Sequence, residues 1–205
     1  MLSFVGIGDL HFDGTLTKYL NTRKLEEVIV FEIECVLKQA RKRGVRLAVF
    51  YGDIAHRPLL SEDAYMAFLH MLHRWSDKFT FIVMTGNHDV NHTGKHSLSV
   101  LKSTTDLFMP KVHVVDQPRG FKLSGVKLNV LPWPCVDTRG DALNIMHVDV
   151  KGAKHDTGRL ITKGPELDPE HVGVLGHLHT SQRVGNWHFS GTLYQTNFAE
   201  QLKKG

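Results

Sequence analysis

Aspartate and histidine recur in short clusters along this chain, and most of the clusters follow a glycine. Gly8-Asp9-Leu10-His11 comes first, then Gly52-Asp53-Ile54-Ala55-His56, then Gly86-Asn87-His88-Asp89. Gly176-His177-Leu178-His179 comes last, with Ile145-Met146-His147 before it. Carboxylate, imidazole and amide oxygen suit divalent ions such as manganese, iron or zinc. On an extended segment Asp9 and His11 point the same way, so both can reach one ion. Each cluster alone has an ordinary explanation, since D-x-H is commonplace and aspartate after glycine is a routine turn residue. Two neighbouring buried imidazoles, as at His177 and His179, are costly without a partner. Together, the clusters point to a metal site. The 14 histidines of the chain are a surplus that asks what the imidazoles bind. Its only two cysteines, Cys35 and Cys135, lie a hundred residues apart, which argues against a structural zinc cluster and excludes a disulfide framework.

The elements that must position these clusters read as one α/β domain over 1–205. With 205 residues, 41% hydrophobic and 22% charged, the chain is an ordinary globular sequence, and disordered or low-complexity classes are excluded. Its longest apolar runs are strand-length, too short to span a bilayer. Strands are expected over 2–8, 45–51 and 79–85, each ending at one of the glycines. A helix is expected over 22–43, with Leu25, Ile29, Ile33, Val36 and Ala40 on one face and Gly44 as its stop. Ser61-Glu62-Asp63 opens another that runs to about Trp75, with Ala64, Phe68, Met71 and Leu72 turned inward. Beyond residue 110, shorter strands over 112–115, 120–123, 126–131, 143–150, 172–175, 183–189 and 193–199 suggest a more antiparallel second half. The polar stretch 151–169 reads as a long loop. Open α/β sheets bind ligands at the carboxyl ends of their strands, so the tips should converge on one crevice.

With D-x-H, G-D, G-N-H-D, a lone histidine and G-H-x-H in this order, the sequence resembles the calcineurin-like metallophosphoesterases from Asp9 to His179. The resemblance implies a four-layer α/β/β/α sandwich, two mixed sheets flanked by helices. Asp9, His11 and His179 would hold one divalent ion, with Asp53 bridging to a second held also by Asn87, His147 and His177. His88 would be the catalytic histidine beside the leaving group. His147 has rivals in His155 and His171. Manganese is the first expectation, with iron, zinc or magnesium as alternatives. Two such ions can share a hydroxide whose pKa is lowered toward neutrality, an in-line nucleophile on phosphorus.

Within that superfamily the second motif lacks the arginine-glycine element of the protein phosphatases. It is more similar to the SbcD-type nuclease subunit of double-strand-break repair, where His56 would be a second histidine near the scissile phosphate; an ordinary loop histidine is the other reading. The tail 190–200 resembles the same family. The implied activity is hydrolysis of DNA phosphodiester bonds by an exonuclease or structure-dependent endonuclease; the alternative is a phosphatase or phosphodiesterase for small nucleotides or phosphoproteins. A catalytically dead scaffold would have no chemical need for the full ligand set and His88. DNA is thus the expected partner, with an SbcC-type ATPase and a second copy of the chain as further family expectations, although no exposed apolar helix is evident. The chain stops shortly after Glu200, so a minimal core without the cap is expected. The start at Met1 lacks the positive segment of a signal peptide, and a cytoplasmic or nucleoid-associated setting is expected, with no membrane partner. The net charge of +4 is compatible with a polyanion. Lys151, Lys154, Arg159 and Lys163 either solvate the polar loop or grip backbone phosphates. Arg41, Lys42 and Arg43 end a helix, where its dipole favours cations. Trp133 and Trp187 read first as core, with base stacking as the alternative.

Overall fold

The strand residues of the first half divide by parity between two cores, which fixes the layering. The computed structural model describes residues 2–14 and 25–193. Its elements are β1 (Val5–Ile7), α1 (Leu25–Lys42), β2 (Leu47–Phe50), α2 (Glu62–Trp75), β3 (Thr80–Met84), α3 (Ser99–Phe108) and β4 (Val112–Val115). They continue with β5 (Arg119–Leu123), β6 (Val126–Leu131), β7 (Leu143–His147), β8 (Val172–Gly176), β9 (Gln182–Val184) and β10 (Trp187–Phe189). Ala48, Phe50, Phe81, Val83, Val112 and Val114 face α1, α2 and α3. The alternate residues Leu47, Val49, Ile82, Met84 and Val115 face Leu128, Val130 and Ile145 of a second sheet. Period-two side-chain alternation thus makes each strand of the first sheet apolar on both faces.

The α/β class therefore holds, with two sheets. The first has the order β1-β2-β3-β4, and its pairs are parallel. The second is mixed, in the order β5-β6-β7-β8-β10-β9. The second half is more antiparallel than the first, as expected, but only at the edges of its sheet. β6, β7, β8 and β10 run parallel, and only β5–β6 and β9–β10 are antiparallel. The segments 132–142 and 148–171, rich in glycine, proline and polar residues, are crossovers and not hairpin turns; parallel neighbours need such long connections. The outer face of the second sheet buries Leu131, Met146, Leu175, Trp187 and Phe189 under Val150, Ala153, Ile161 and Leu178. Among the described residues coil covers that face, and no helix of the expected fourth layer lies on it.

Other differences are local. The strand expected over 183–189 is a hairpin, because Gly185 turns with φ 57° between β9 and β10. Helix α3 was not expected: Leu98 supplies no side-chain cap, and Ser103, Thr104 and Thr105 hydroxyls bond back to carbonyls of their own helix. Residues 194–199 of the last expected strand, and 22–24 of the first helix, lie outside the described residues. No helix among the described residues is long and apolar enough to cross a membrane.

Candidate metal centre

Five strand ends supply the site, and glycines let them close on one another. A side-chain Cβ at Gly52, which has φ 99°, would lie 2.6 Å from His147 Nδ1 and 2.8 Å from Gly86 Cα. One at Gly86 would lie 2.2 Å from Asp53 Oδ1. Only glycine permits this approach of the second and third tips. Asp9, His11, Asp53 and His177 take positive φ of 55°, 48°, 50° and 86°. The first tip is therefore not extended, contrary to expectation. Asp9 and His11 are aligned by two left-handed residues around Leu10, which is fully buried. The Asp9, His11 and Phe12 amides donate to the carbonyls of Gly52, Asp53 and Ile54 at 3.1, 2.9 and 2.9 Å, locking this tip onto the second.

All seven expected ligands come together, with His88 and His56 at their edge. Asp9, His11 and His179 form one triad, and Asp53, His147 and His177 another; within each, the ligand atoms lie within 4.8 Å of one another. His11 Nε2 is 3.1 Å from His179 Nε2 and 3.9 Å from Asp53 Oδ2. Asp53 Oδ1 is 3.3 Å from His147 Nε2, so its two oxygens reach toward the two triads. Asn87 Oδ1 lies 2.9 Å from His147 Nε2 and 2.8 Å from His177 Nδ1. The His177 amide donates to both oxygens of Asp9, at 3.1 and 3.2 Å. His147 Nδ1 lies 2.7 Å from the Tyr51 carbonyl, to which it donates, leaving Nε2 toward the pocket. His88 donates its amide to Asp53 Oδ1 at 2.8 Å, and its Nδ1 lies 3.0 Å from the His56 carbonyl. The His56 and His88 rings stack at 5.6 Å.

The electrostatics of this pocket fit a cationic guest. Asp9 and Asp53 are sealed from solvent at 0% and 1% exposure. Burial raises the Asp9 carboxyl to about 7, against the pull of His147 and with the push of Asp53. Burial also opposes ionisation of Asp53, but the charge and hydrogen bond of His147, helped by His11, hold it below the usual carboxylate range. For His147 burial disfavours the charged ring, yet the Asp53 carboxylate outweighs it and raises the ring to about 9. Burial lowers His11 to about 3, and burial followed by His147 lowers His177 to about 4. Two carboxyls thus crowd together among imidazoles of which His11 and His177 are held neutral, and His11 Nδ1 is buried without a hydrogen-bond partner. Crowded carboxylates and spare lone pairs in a dry pocket are what divalent cations compensate, and the donor set fits them.

The rivals of His147 are elsewhere. His171 precedes β8, at its opposite end, and meets Thr138 and Asp168. His155 is exposed. Two residues were given no role on sequence grounds. Asp89 is fully buried and accepts the amides of Gly86, Ala55 and Ile54 at 2.8, 2.8 and 3.2 Å. It clamps the second tip to the third; its place in G-N-H-D was the available signal. Asp156 Oδ1 accepts the amides of His179 and Thr180 at 2.9 and 3.1 Å, and no motif announces it. Of the loop cations, Lys151 is paired with Glu166, whereas Lys154 and Arg159 stand on a small hairpin beside Asp156. Trp187 is core, but Trp133 is 38% exposed and follows β6, its amide bonded to Thr85 O at the third tip.

No protein-family model matches the chain. Over 177 residues it is 25% identical to exonuclease subunit 1 of Enterobacteria phage T4, covering 78% of this chain and 51% of the phage protein. The chain thus spans about half the length of this nuclease relative.

Replacing Asp89 by Ala strands three buried amides, and should cost about 3–5 kcal/mol in urea unfolding. Asp106→Ala, on the exposed face of α3, should stay within about 0.5 kcal/mol.

Proposed function

We propose that this chain is a metal-dependent phosphodiesterase that hydrolyses DNA, of the SbcD-type metallophosphoesterase kind. The observation that carries the reading is the pair of donor triads meeting at Asp53, drawn from residues spread between Asp9 and His179. The phage exonuclease relative supports the choice of DNA. In this reading Asp9, His11 and His179 hold one divalent cation, Asn87, His147 and His177 a second, and Asp53 serves both. When bound, such a pair supplies Lewis-acid neutralisation of the phosphate and a water of lowered pKa.

The chain's own residues do the rest. Tyr51 O fixes the ring of His147 through Nδ1, and Asp156 fixes the backbone at His179, so both donors are pre-oriented. The His56 carbonyl holds the Nδ1 proton of His88, so the proton given to the departing oxygen comes from Nε2. Burial, then His88 and Arg57, lower His56 below the usual histidine value, which keeps that stacked ring neutral. Lys154 and Arg159 contact backbone phosphates beside His179, and exposed Trp133 offers a face on which a base stacks.

A second copy of the chain is the partner that α3 suits. Val100, Leu107 and Phe108 are 62%, 75% and 76% exposed, and α3 joins α2 through Tyr65 Oη and Thr104 Oγ1, 3.0 Å apart. An exposed apolar surface of this kind marks an association site.

Manganese-loaded protein should carry two ions per chain and degrade end-labelled linear DNA faster than p-nitrophenyl phosphate or cyclic nucleotides. The opposite ranking would give the site to small phosphoesters, and absence of bound metal would remove the reading altogether. His88→Ala should keep both ions and lose about 10²–10⁴-fold in turnover, the range of a lost general acid. Leu107→Glu with Phe108→Glu should convert a dimer to a monomer in light scattering; a wild-type monomer would discard the second copy.

A further inference from the structure

At the other end of the first sheet, where its strands begin, lies a hollow of about 410 Å³ lined by Arg41, Arg46, Lys78, Lys111 and Asp77. A second hollow of about 330 Å³ adjoins it through Arg46 and Thr80 and adds Arg43. The two form one furrow. β3 rises about 3.3 Å per residue, so its five residues put the furrow roughly 16 Å or more from the metal centre.

Arg46 and Lys111 of this furrow are anchored on carbonyls and not on carboxylates, while Arg41 lies in the field of Asp77. Arg46 donates to the carbonyls of Val45 and Arg41 at 3.0 and 3.4 Å, and Lys111 donates to the carbonyl of Asp77 at 3.2 Å. Some exposed cations elsewhere find carboxylates: Arg74 with Glu34, Lys127 and Arg139 with Asp141, Lys151 with Glu166. Others, such as Arg57, Lys122 and Arg183, form no ion pair among the described residues, so the furrow is set apart by gathering its cations in one hollow. In the furrow the carboxylate is Asp77, and Lys78 holds it at 2.9 Å. Among the described residues Arg41, Arg43, Arg46 and Lys111 form no ion pair. The carbonyl end of α1 accounts for some of this charge, because Arg41 and Lys42 lie in its last turn. It does not account for Lys111, which arrives from the start of β4, nor for a concave surface that gathers cations from three connections. Carbonyl anchors orient a guanidinium or ammonium while leaving its charge for an outside anion.

We propose that this furrow binds the phosphodiester backbone of DNA away from the metal centre, a second grip that holds the duplex while the first works on it. The proposal rests on the nuclease reading. An elongated, two-lobed furrow suits successive phosphates of one strand better than a single free phosphate, and it carries no sequence readout.

The test uses the full chain and a fluorescent duplex of roughly 30 base pairs, whose phosphates repeat every 3.4 Å per strand. Arg41→Ala with Lys111→Ala should weaken binding about tenfold and reduce the salt slope by about 1 per lost contact. Turnover of bis(p-nitrophenyl) phosphate should not change. Because Arg46 also anchors α1, Arg43→Ala with Lys111→Ala is the second variant, and Lys127→Ala with Arg139→Ala is the charge-matched control, expected to bind as wild type. Unchanged affinity and slope in both furrow variants overturn the proposal, as does an equal loss in the control. Displacement of the duplex by inorganic phosphate, beyond matched chloride, assigns the furrow to free phosphate and also overturns it. Wild-type protein that binds no duplex rejects the furrow as well, while cleavage of end-labelled DNA decides the nuclease reading separately.

Discussion

The Asp53 carboxylate is the point on which the rest of this molecule turns. It accepts the His88 amide, lies 3.3 Å from His147 through one oxygen and 3.9 Å from His11 through the other, and is almost wholly withdrawn from water. A buried carboxylate is tolerated only when charge and hydrogen bonds surround it, and here the surroundings come from four different chain segments. Both sheets must present their strand ends in register for that shell to close. The fold is therefore organised around a polar cavity as much as around its apolar cores.

The apolar cores supply the rigidity that this requires. The layer between the sheets is built from Val49, Ile82, Val130 and Ile145, one step before the tips that carry Asp53, Asn87 and His147. Close packing of these residues transmits position from one strand to the next, so a donor on β7 can be placed against a carbonyl on β2. The loop side is different: His179 depends on Asp156, within the coil that covers the second sheet. One triad thus hangs partly on the coil that covers the second sheet, the other on His147 of β7 and on residues just past the ends of β2 and β8.

Much of this was legible in the sequence because the donors follow strands whose apolar runs are strong. The tips at Asp9, Asp53, Asn87 and His177 each succeed a glycine, and at Gly52, Gly86 and Gly176 a methyl group would collide. His147 is the residue the resemblance assigns, with His155 and His171 as rivals, and the structure puts it alone of the three in the pocket. What escaped had no local signal. Helix α3 is short and lacks a side-chain cap or charged residues in its end turns, so no start or stop signal announces it. The parallel course of β6, β7, β8 and β10 is set by crossovers whose glycines and prolines look like hairpin turns. Asp156 acts through backbone amides at residues distant in sequence, and the left-handed turns at Asp9 and His11 replace an extended strand while giving the same alignment.

Those left-handed turns have a consequence for the protein's tolerance of heat. Asp9, His11, Asp53 and His177 each sit where an L-residue is strained, by on the order of 1 kcal/mol or more. A glycine would relax every one of them and erase a donor in the same stroke. Thermal robustness and chemical competence therefore pull against each other at these four positions, and a search for hardier versions of this protein would do well to leave them untouched and work on the surfaces around them.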